Sequence, residues 1–441
     1  MTDLSSCPTL PLEIFVEIIE SLEDCSETLK ACALVDSNLA PYARRRLFQS
    51  FTFPPRTLHF ELAYESSGCV DNDFEEVYTI DIQGFRCKLE SLITDLRFWP
   101  LGSPMSLATA VRSLTIHGLI WPATDQSSPP KFAPWPQGLL AQLPFTELVR
   151  IHALHFMHEY GHTIDSKHMS FRGLLKANPS LETLVLEHID FSSVKRFLAL
   201  FRGPHGSATP RLQTLSLVGI GTPSKDQPLD DAYRKLESLS QLEDRPRLQA
   251  LKFSDMFFDY DRLCAFIPKA LFTPSCSLFD LSHLHTLMIT QMHSGVWKFY
   301  KGVFIHCGPT ITLLKVDVWP YDLGDQDLQK CLRHLVNLKH LELRLDCSSE
   351  SIDSEFPVNA VNICLPLVPR LEYLCVVFRP LNPFRGVFPP KRVESALSVL
   401  RDTTNPHLKG TDHILNNSKW GVLNSDDIRE CVPMGNVFLL D

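Results

Sequence analysis

A short apolar frame, L-x-x-L-x-L, returns along most of the chain and limits what the chain can fold into more than any other feature. Its clearest copy lies in residues 179–191, PSLETLVLEHIDF, where Leu181, Leu184 and Leu186 are apolar and Glu182, Thr183 and Val185 stand between them. Alternation over Leu184 and Leu186 is strand periodicity. The three-residue step from Leu181 brings the chain into that strand from a turn.

The frame recurs as Val111-Leu114-Ile116, Leu181-Leu184-Leu186, Leu212-Leu215-Leu217, Leu248-Leu251-Phe253, Leu284-Leu287-Ile289, Ile311-Leu314-Val316, Leu338-Leu341-Leu343 and Leu371-Leu374-Val376. A degenerate copy is anchored on Phe145 and Leu148, with Arg150 at the third apolar position and Ile151 one place late. Successive anchors then lie 34, 36, 31, 36, 36, 27, 27 and 33 residues apart, too regular for a chance effect of leucine content.

Helical patterns fill the intervals. Phe171, Leu174 and Leu175 follow Ser170; Val194, Phe197, Leu198 and Phe201 follow Ser192; Leu328, Leu332 and Leu335 form a third. The two serines are suited to cap their helices, and Asn178-Pro179 stops the first. One strand-helix unit cannot bury both of its apolar faces, so neighbouring units must share a core. The pattern resembles a leucine-rich-repeat solenoid, in the longer and irregular form found in F-box proteins rather than the regular form of about 20–29 residues. The resemblance implies an α/β fold: a curved parallel sheet with outer helices. The Asn or Cys that regular repeats place after the third apolar position is mostly missing here.

The N-terminal fifty residues read differently. LPLEIFVEIIESL at 10–22 is an amphipathic helix opened by Pro11, with Ile14, Phe15, Ile18 and Leu22 on one face and Glu13, Glu17 and Glu20 on the other. Ser26 opens a second helix through Leu29, Cys32, Ala33 and Val35, and a third spans Tyr42 to Phe48. Three helices in so few residues bury little by themselves, and such a module completes its core against a partner. LPLEIFVEIIESL, LKACALV and YARRRLF together resemble an F-box, in the form common in the large F-box families of mushroom-forming fungi. That family docks on a Skp-type adaptor, which joins cullin and RING subunits in an SCF-type ubiquitin ligase. By position the resemblance makes Leu10, Pro11, Ile14, Ile18, Leu22, Leu34 and Val35 adaptor-facing or supporting. Where the family commonly has Cys-x-x-Trp, this chain has Asp36 and Leu39. The alternative reading of these helices is an end cap for the repeats.

The resulting expectation is an F-box at 1–50, a linker and imperfect first repeat at 51–105, repeats at 106–380, and a C-terminal cap and tail at 381–441. In the linker, Phe51-Thr52-Phe53 and the stretch 77–82 alternate like strands. The Pro- and Ser-rich segment 121–136 reads as a loop; after Phe378 the frame ends, Arg379-Pro380 breaks the strand, Val393, Leu397 and Leu400 mark a last helix, and 437–440 is a short apolar strand.

A formal charge of -9 and a pI near 6.0 leave no positive field for a nucleic acid. Arg44-Arg45-Arg46 is the only tight basic run and reads as the solvated side of a short helix. No apolar stretch reaches the roughly 18 residues of a membrane span, and the N-terminus lacks a signal-peptide pattern. Thirteen cysteines without a C-x-x-C pair read as reduced thiols, the state of a cytoplasmic or nuclear protein.

One motif points to an enzyme. HEYGHTIDSKH at 158–168 contains H-E-x-x-H, which on a helix would set His158 and His162 one turn apart for zinc, with Glu159 as general base and His168 closing the site. Asp165 stands where the metzincin pattern has a glycine for a positive-φ turn. A structural zinc aided by His152 and His155 is a second possibility. A solvated His-rich connector between repeats is the reading adopted here, with no metal and no cofactor expected.

Residues beside the core leucines form the other face of the strands. Val185, Glu187, Ser216, Val218, His340, Glu342 and Arg344 are the candidates for target contact, a mixed set that suits a protein partner. The expected function is a non-catalytic substrate receptor of an SCF-type ubiquitin ligase. A zinc-dependent hydrolase and a plain repeat scaffold with a non-docking F-box are the alternatives.

Overall fold

The computed structural model describes residues 11–22, 25–53, 57–58, 78–79, 91, 94, 107–117, 145–156, 171–191, 194–201, 207–221, 245–254, 278–290, 297–318, 326–347, 360, 363–380 and 410–415. They belong to two compact units, 1–228 with 242–246, and 229–241 with 247–441.

The first unit begins with α1 (Leu12–Ser21), α2 (Ser26–Val35) and α3 (Ala40–Leu47). It continues through β1 (Ser50–Phe53), β2 (Thr57–Leu58), β3 (Tyr78–Thr79), α4 (Leu107–Ala110), β4 (Ser113–His117), β5 (Arg150–Phe156), α5 (Phe171–Ala177), β6 (Thr183–Asp190), α6 (Val194–Phe201) and β7 (Thr214–Gly221). Strands β1, β4, β5, β6 and β7 lie side by side in that order, all parallel. The second unit holds β8 (Ala250–Ser254), β9 (Thr286–Thr290), α7 (Trp297–Cys307), β10 (Leu313–Val318), α8 (Gln326–Leu332), β11 (His340–Cys347), β12 (Tyr373–Pro380) and β13 (Gly410–Leu415), again parallel and in chain order. The α/β class and the parallel sheet expected from the repeat are present.

The frame sets the register. Leu114, Ile151, Leu184 and Leu215 stand abreast in one row of the first unit, and Ile116, Ala153, Leu186 and Leu217 in the next. In the second unit the rows are Leu251, Leu287, Leu314, Leu341 and Leu374, then Phe253, Ile289, Val316, Leu343 and Val376. From Leu114 to Leu374 these rows are buried wherever their side chains are described. A strand slipped by one residue would turn its leucines to the other face, so burial of the rows fixes the pairing. The helix residues Phe171, Leu174, Leu175, Phe197, Leu198, Phe201, Leu328, Leu332 and Leu335 are buried too, as their spacing predicts.

Within the two units, the steps through β1, β4, β5, β6 and β7 and those from β8 to β12 are made by the same pair of hydrogen bonds. The carbonyl of Val149, the residue after an anchor, accepts from the N–H groups of Glu182 and Thr183 at 2.9 and 2.8 Å. Gln49, Arg112, Glu182, Gln249, His285, Thr312 and Lys339 do likewise for the strands that follow them. Ahead of each joint the anchor often closes a turn: the N–H groups of Leu181, Leu212, Ile311 and Leu371 donate to Asn178, Thr209, Gly308 and Val368. Pro179, Pro210, Pro309 and Pro369 hold the second position of those turns, where a fixed φ near -65° is wanted.

Four sequence expectations need correction. The degenerate copy is anchored on Leu148 and not on Phe145, because Ile151 and Ala153 pair with Leu184 and Leu186; Arg150 belongs to the opposite face, abreast of Thr183. A further copy precedes all the others, Phe48-Phe51-Phe53, with Phe51 and Phe53 beside Leu114 and Ile116. The stretch around Tyr78 is no repeat, since Tyr78–Thr79 pairs antiparallel with Thr57–Leu58 outside the parallel sheet. At the other end β12 runs through Arg379 and Pro380, and β13 adds one more parallel strand with Thr411 and His413 beside Leu374 and Val376. The expected helix around Leu397, the loop at 121–136 and the apolar run at 437–440 lie outside the described residues.

Candidate docking face and recognition surface

The three N-terminal helices share a core of only three fully buried side chains, Ile19, Leu29 and Ala43, with Leu22, Cys32, Ala33, Leu39 and Leu47 packed partly against it. Their apolar residues are otherwise outside. Seven of the ten exposed large hydrophobic residues described lie here: Leu12, Ile14, Phe15, Ile18, Leu34, Val35 and Tyr42, against Ile305, Val336 and Tyr373 elsewhere. Leu34 and Val35 are 87% and 83% exposed, values unusual for aliphatic side chains unless something covers them.

This arrangement divides the helix face read from the sequence. On α1, Ile19 points inward with Leu22 behind it, while Ile14, Phe15 and Ile18 point out on the side away from the core. Of the expected docking residues, Pro11, Ile14, Ile18, Leu34 and Val35 are exposed, Leu22 supports them from the core side, and Leu10 lies outside the described residues. Leu39, standing where the family pattern has Trp, belongs to the helices' own core. Glu13, Glu17 and Glu20 are exposed around the apolar residues of α1.

Helix α3 runs directly into the first strand. The Phe48 and Phe51 rings stack at 5.9 Å, the Arg44 guanidinium lies 5.8 Å over Phe48, and Arg46 Nη1 donates to Gln49 Oε1 at 2.6 Å. The basic run is therefore tied to the helix-strand junction at Arg44 and Arg46, and only Arg45 is fully solvated as expected.

On the strands, Val185, Glu187, Glu342 and Arg344 are half-buried and His340 is exposed. Ser216 and Val218 are 7% and 9% exposed, which removes them from an open recognition surface. The reason lies in what strand alternation can say. It assigns a residue to a face, not the cover over that face, and His117, Ser254, Thr290 and Asp317 at the C-terminal ends of β4, β8, β9 and β10 are buried as well.

The second unit carries the most structured group on this face. Glu342 accepts from Lys315 Nζ and from Arg344 Nε, both at 2.7 Å. Burial alone would raise the Glu342 pKa, but the hydrogen bonds and charges of Lys315 and Arg344 outweigh it and hold the carboxyl below its ordinary value. One row away the His340 and Tyr373 rings stack at 4.7 Å and 10°. The sequence reading of this face, which takes in Tyr373 at the frame position of His340, misses Lys315. It was findable, since Lys315 holds the frame position of Glu342. In the first unit the comparable contact is His152 Nε2 with Glu187 Oε2 at 2.8 Å.

His158, Glu159, His162, Asp165 and His168 lie outside the described residues, and of His155 only the backbone is described, in β5. Among the described residues no group of three His, Cys, Asp or Glu side chains is placed to hold a metal ion. Burial pushes the Cys307 and Cys364 thiols up to about 12, which keeps them protonated and unreactive at neutral pH. Among the described residues no helix is long and apolar enough to cross a membrane. No protein-family model matches the chain, and no curated protein matches it.

Proposed function

We propose that this chain is the substrate-recognition subunit of an SCF-type ubiquitin ligase, with α1–α3 acting as an F-box on a Skp-type adaptor and the leucine-rich repeats binding a protein target. The observation that carries the reading is the placement of exposed apolar side chains: Ile14, Ile18, Leu34 and Val35 stand in solvent on helices whose own core is three residues deep. An apolar surface of that kind on so small a module is what a partner covers. The repeats contribute a second element, a sheet face with mixed polar and aromatic residues, of the composition that protein interfaces use. Catalysis would then belong to other subunits, and this chain's part is to hold a target close to them.

The test is capture of a Skp-type adaptor by the full chain. Wild type is expected to retain the adaptor through purification, and Ile14→Asp with Ile18→Asp to lose it while keeping the wild-type melting temperature, since both residues are solvent-exposed. Equal retention by both proteins, or no retention by wild type, overturns the reading.

A further inference from the structure

Among the described residues β13 is the outermost strand of the second unit: it pairs with β12 on one side and with no described strand on the other. An open strand edge is a template for another strand. The apolar rows also change character there, because β13 sets Thr411 and His413 beside Leu374 and Val376. Residues 416–441, which follow it in the chain, lie outside the described residues, and their order contains the parts of one more unit.

Three of those parts match described ones. Ile428, Cys431 and Val432 repeat the spacing of Leu328, Cys331 and Leu332, the buried residues of α8, and Asp427 repeats Asp327 of its first turn. Ser425 stands ahead of them as a cap. Pro433 lies two residues before Gly435, as Pro309 and Pro369 lie two before their anchors Ile311 and Leu371. Pro in the second and Gly in the fourth position suit a turn of that kind, although Gly435 leaves the anchor without an apolar side chain. Val437, Phe438, Leu439 and Leu440 then form an apolar run that starts 27 residues after Gly410, the same step that separates Thr286, Leu313 and His340 in β9, β10 and β11. The 21 residues between Leu415 and Val437 equal the number between Val318 and His340, the connector that holds α8.

We propose that residues 425–440 dock on the open edge of β13 as one further helix-strand unit, with 437–440 as the added parallel strand. The 27-residue step sets the register: Phe438 takes the row of Leu374 and Thr411, Leu440 takes the row of Val376 and His413, and both turn toward the core. Val437 and Leu439 then lie on the open face, Val437 in the row of His340, Tyr373 and Gly410. Cys431 takes the place that Cys331, fully buried, has in α8. A segment tethered to the edge by a short connector is held at a local concentration of about a millimolar, so it outcompetes a second copy of the chain for the same edge. The docked unit shields that edge from pairing with another strand. None of this depends on the adaptor reading.

The experiment alkylates the native full chain with iodoacetamide and reads each cysteine by mass spectrometry. Every rate is divided by that of the same residue in urea, which removes intrinsic differences between thiols. Cys25, which is exposed, sets the unprotected value. Cys431 is expected to react at least about tenfold more slowly than Cys25, at every protein concentration. Phe438→Asp is expected to raise the Cys431 rate about tenfold, whereas Leu439→Asp, on the open face, leaves it within about twofold of wild type. Melting curves confirm that the variants keep the ladder folded, and Leu440→Asp supplies a second inward change should Phe438→Asp fail to fold. A wild-type Cys431 rate equal to that of Cys25, equal effects of Phe438→Asp and Leu439→Asp, or protection that disappears on dilution, as docking by a second copy would give, overturns the proposal.

Discussion

The N-terminal helices and the strand ladder use apolar residues in opposite ways. In the ladder, Leu184, Leu215, Leu287 and Leu314 are completely buried, and eight of its steps are fastened by the same two-donor carbonyl. On α1 and α2, residues just as apolar stand in water. Stability in the first case is internal to the chain. In the second the apolar surface is left open. Equal hydrophobicity in a sequence can therefore mean a core or an interface, and the difference is how many neighbours the local topology supplies.

The contrast makes predictions of decreasing size. Leu184→Ala empties a site with no exposed surface and is expected to lower unfolding stability by about 2–5 kcal/mol in urea titration. Next come two glycines that separate a strained joint from a free one. Gly219 has φ +57°, and an added Cβ would lie 2.5 Å from the His188 ring, itself on a residue with φ 49°; Gly219→Ala is expected to cost about 1–3 kcal/mol. Gly302, inside α7 with nothing within 4 Å, is expected to gain about 0.5–1 kcal/mol when changed to Ala. Paired melting curves of the two variants check the opposite signs.

A third prediction concerns pH. Because the folded-state pKa of Glu342 lies below its ordinary value, its contribution is fully present at neutral pH and is lost as pH falls through the folded value. Replacing it by Gln is expected to flatten the part of the acid-range stability slope that Glu342 supplies, seen by comparing urea midpoints at about pH 7 and about pH 3 with wild type. The smallest stability change belongs to the helices: Ile18→Ala is expected to stay within about 0.5 kcal/mol of wild type while adaptor capture falls. A loss there as large as that of Leu184→Ala would show that α1 buries Ile18 after all and would erase the contrast.

How much could be read beforehand depended on how each residue's neighbours are specified. Leu181, Leu184 and Leu186 announce their register because a strand has a period of two and only one face is closed. The copy at Leu148 was anchored three residues early because Ala153, small enough to pass unnoticed, holds its last apolar position. Phe48-Phe51-Phe53 escaped by lacking leucine, and β13 by placing Thr411 and His413 where leucines are expected. The inward side of α1 was not legible at all, since Ile14, Ile18 and Ile19 are chemically alike and only α2 and α3 decide which is covered. Ser216 and Val218 failed as surface candidates for a related reason: burial depends on the third dimension, which alternation along one strand does not contain.

The joint at Val149, repeated from Gln49 to Lys339, uses only a backbone carbonyl and two backbone N–H groups. It therefore asks nothing of the side chains on the open face and nothing of how much chain runs between one strand and the next. Doubling an intervening stretch costs roughly 0.6 kcal/mol in closure entropy, whereas breaking a joint uncouples two rows of buried leucines. Such a chain can be rewritten strand by strand, gaining or losing a unit or exchanging the residues on its open face, with the rule for adding the next strand left untouched.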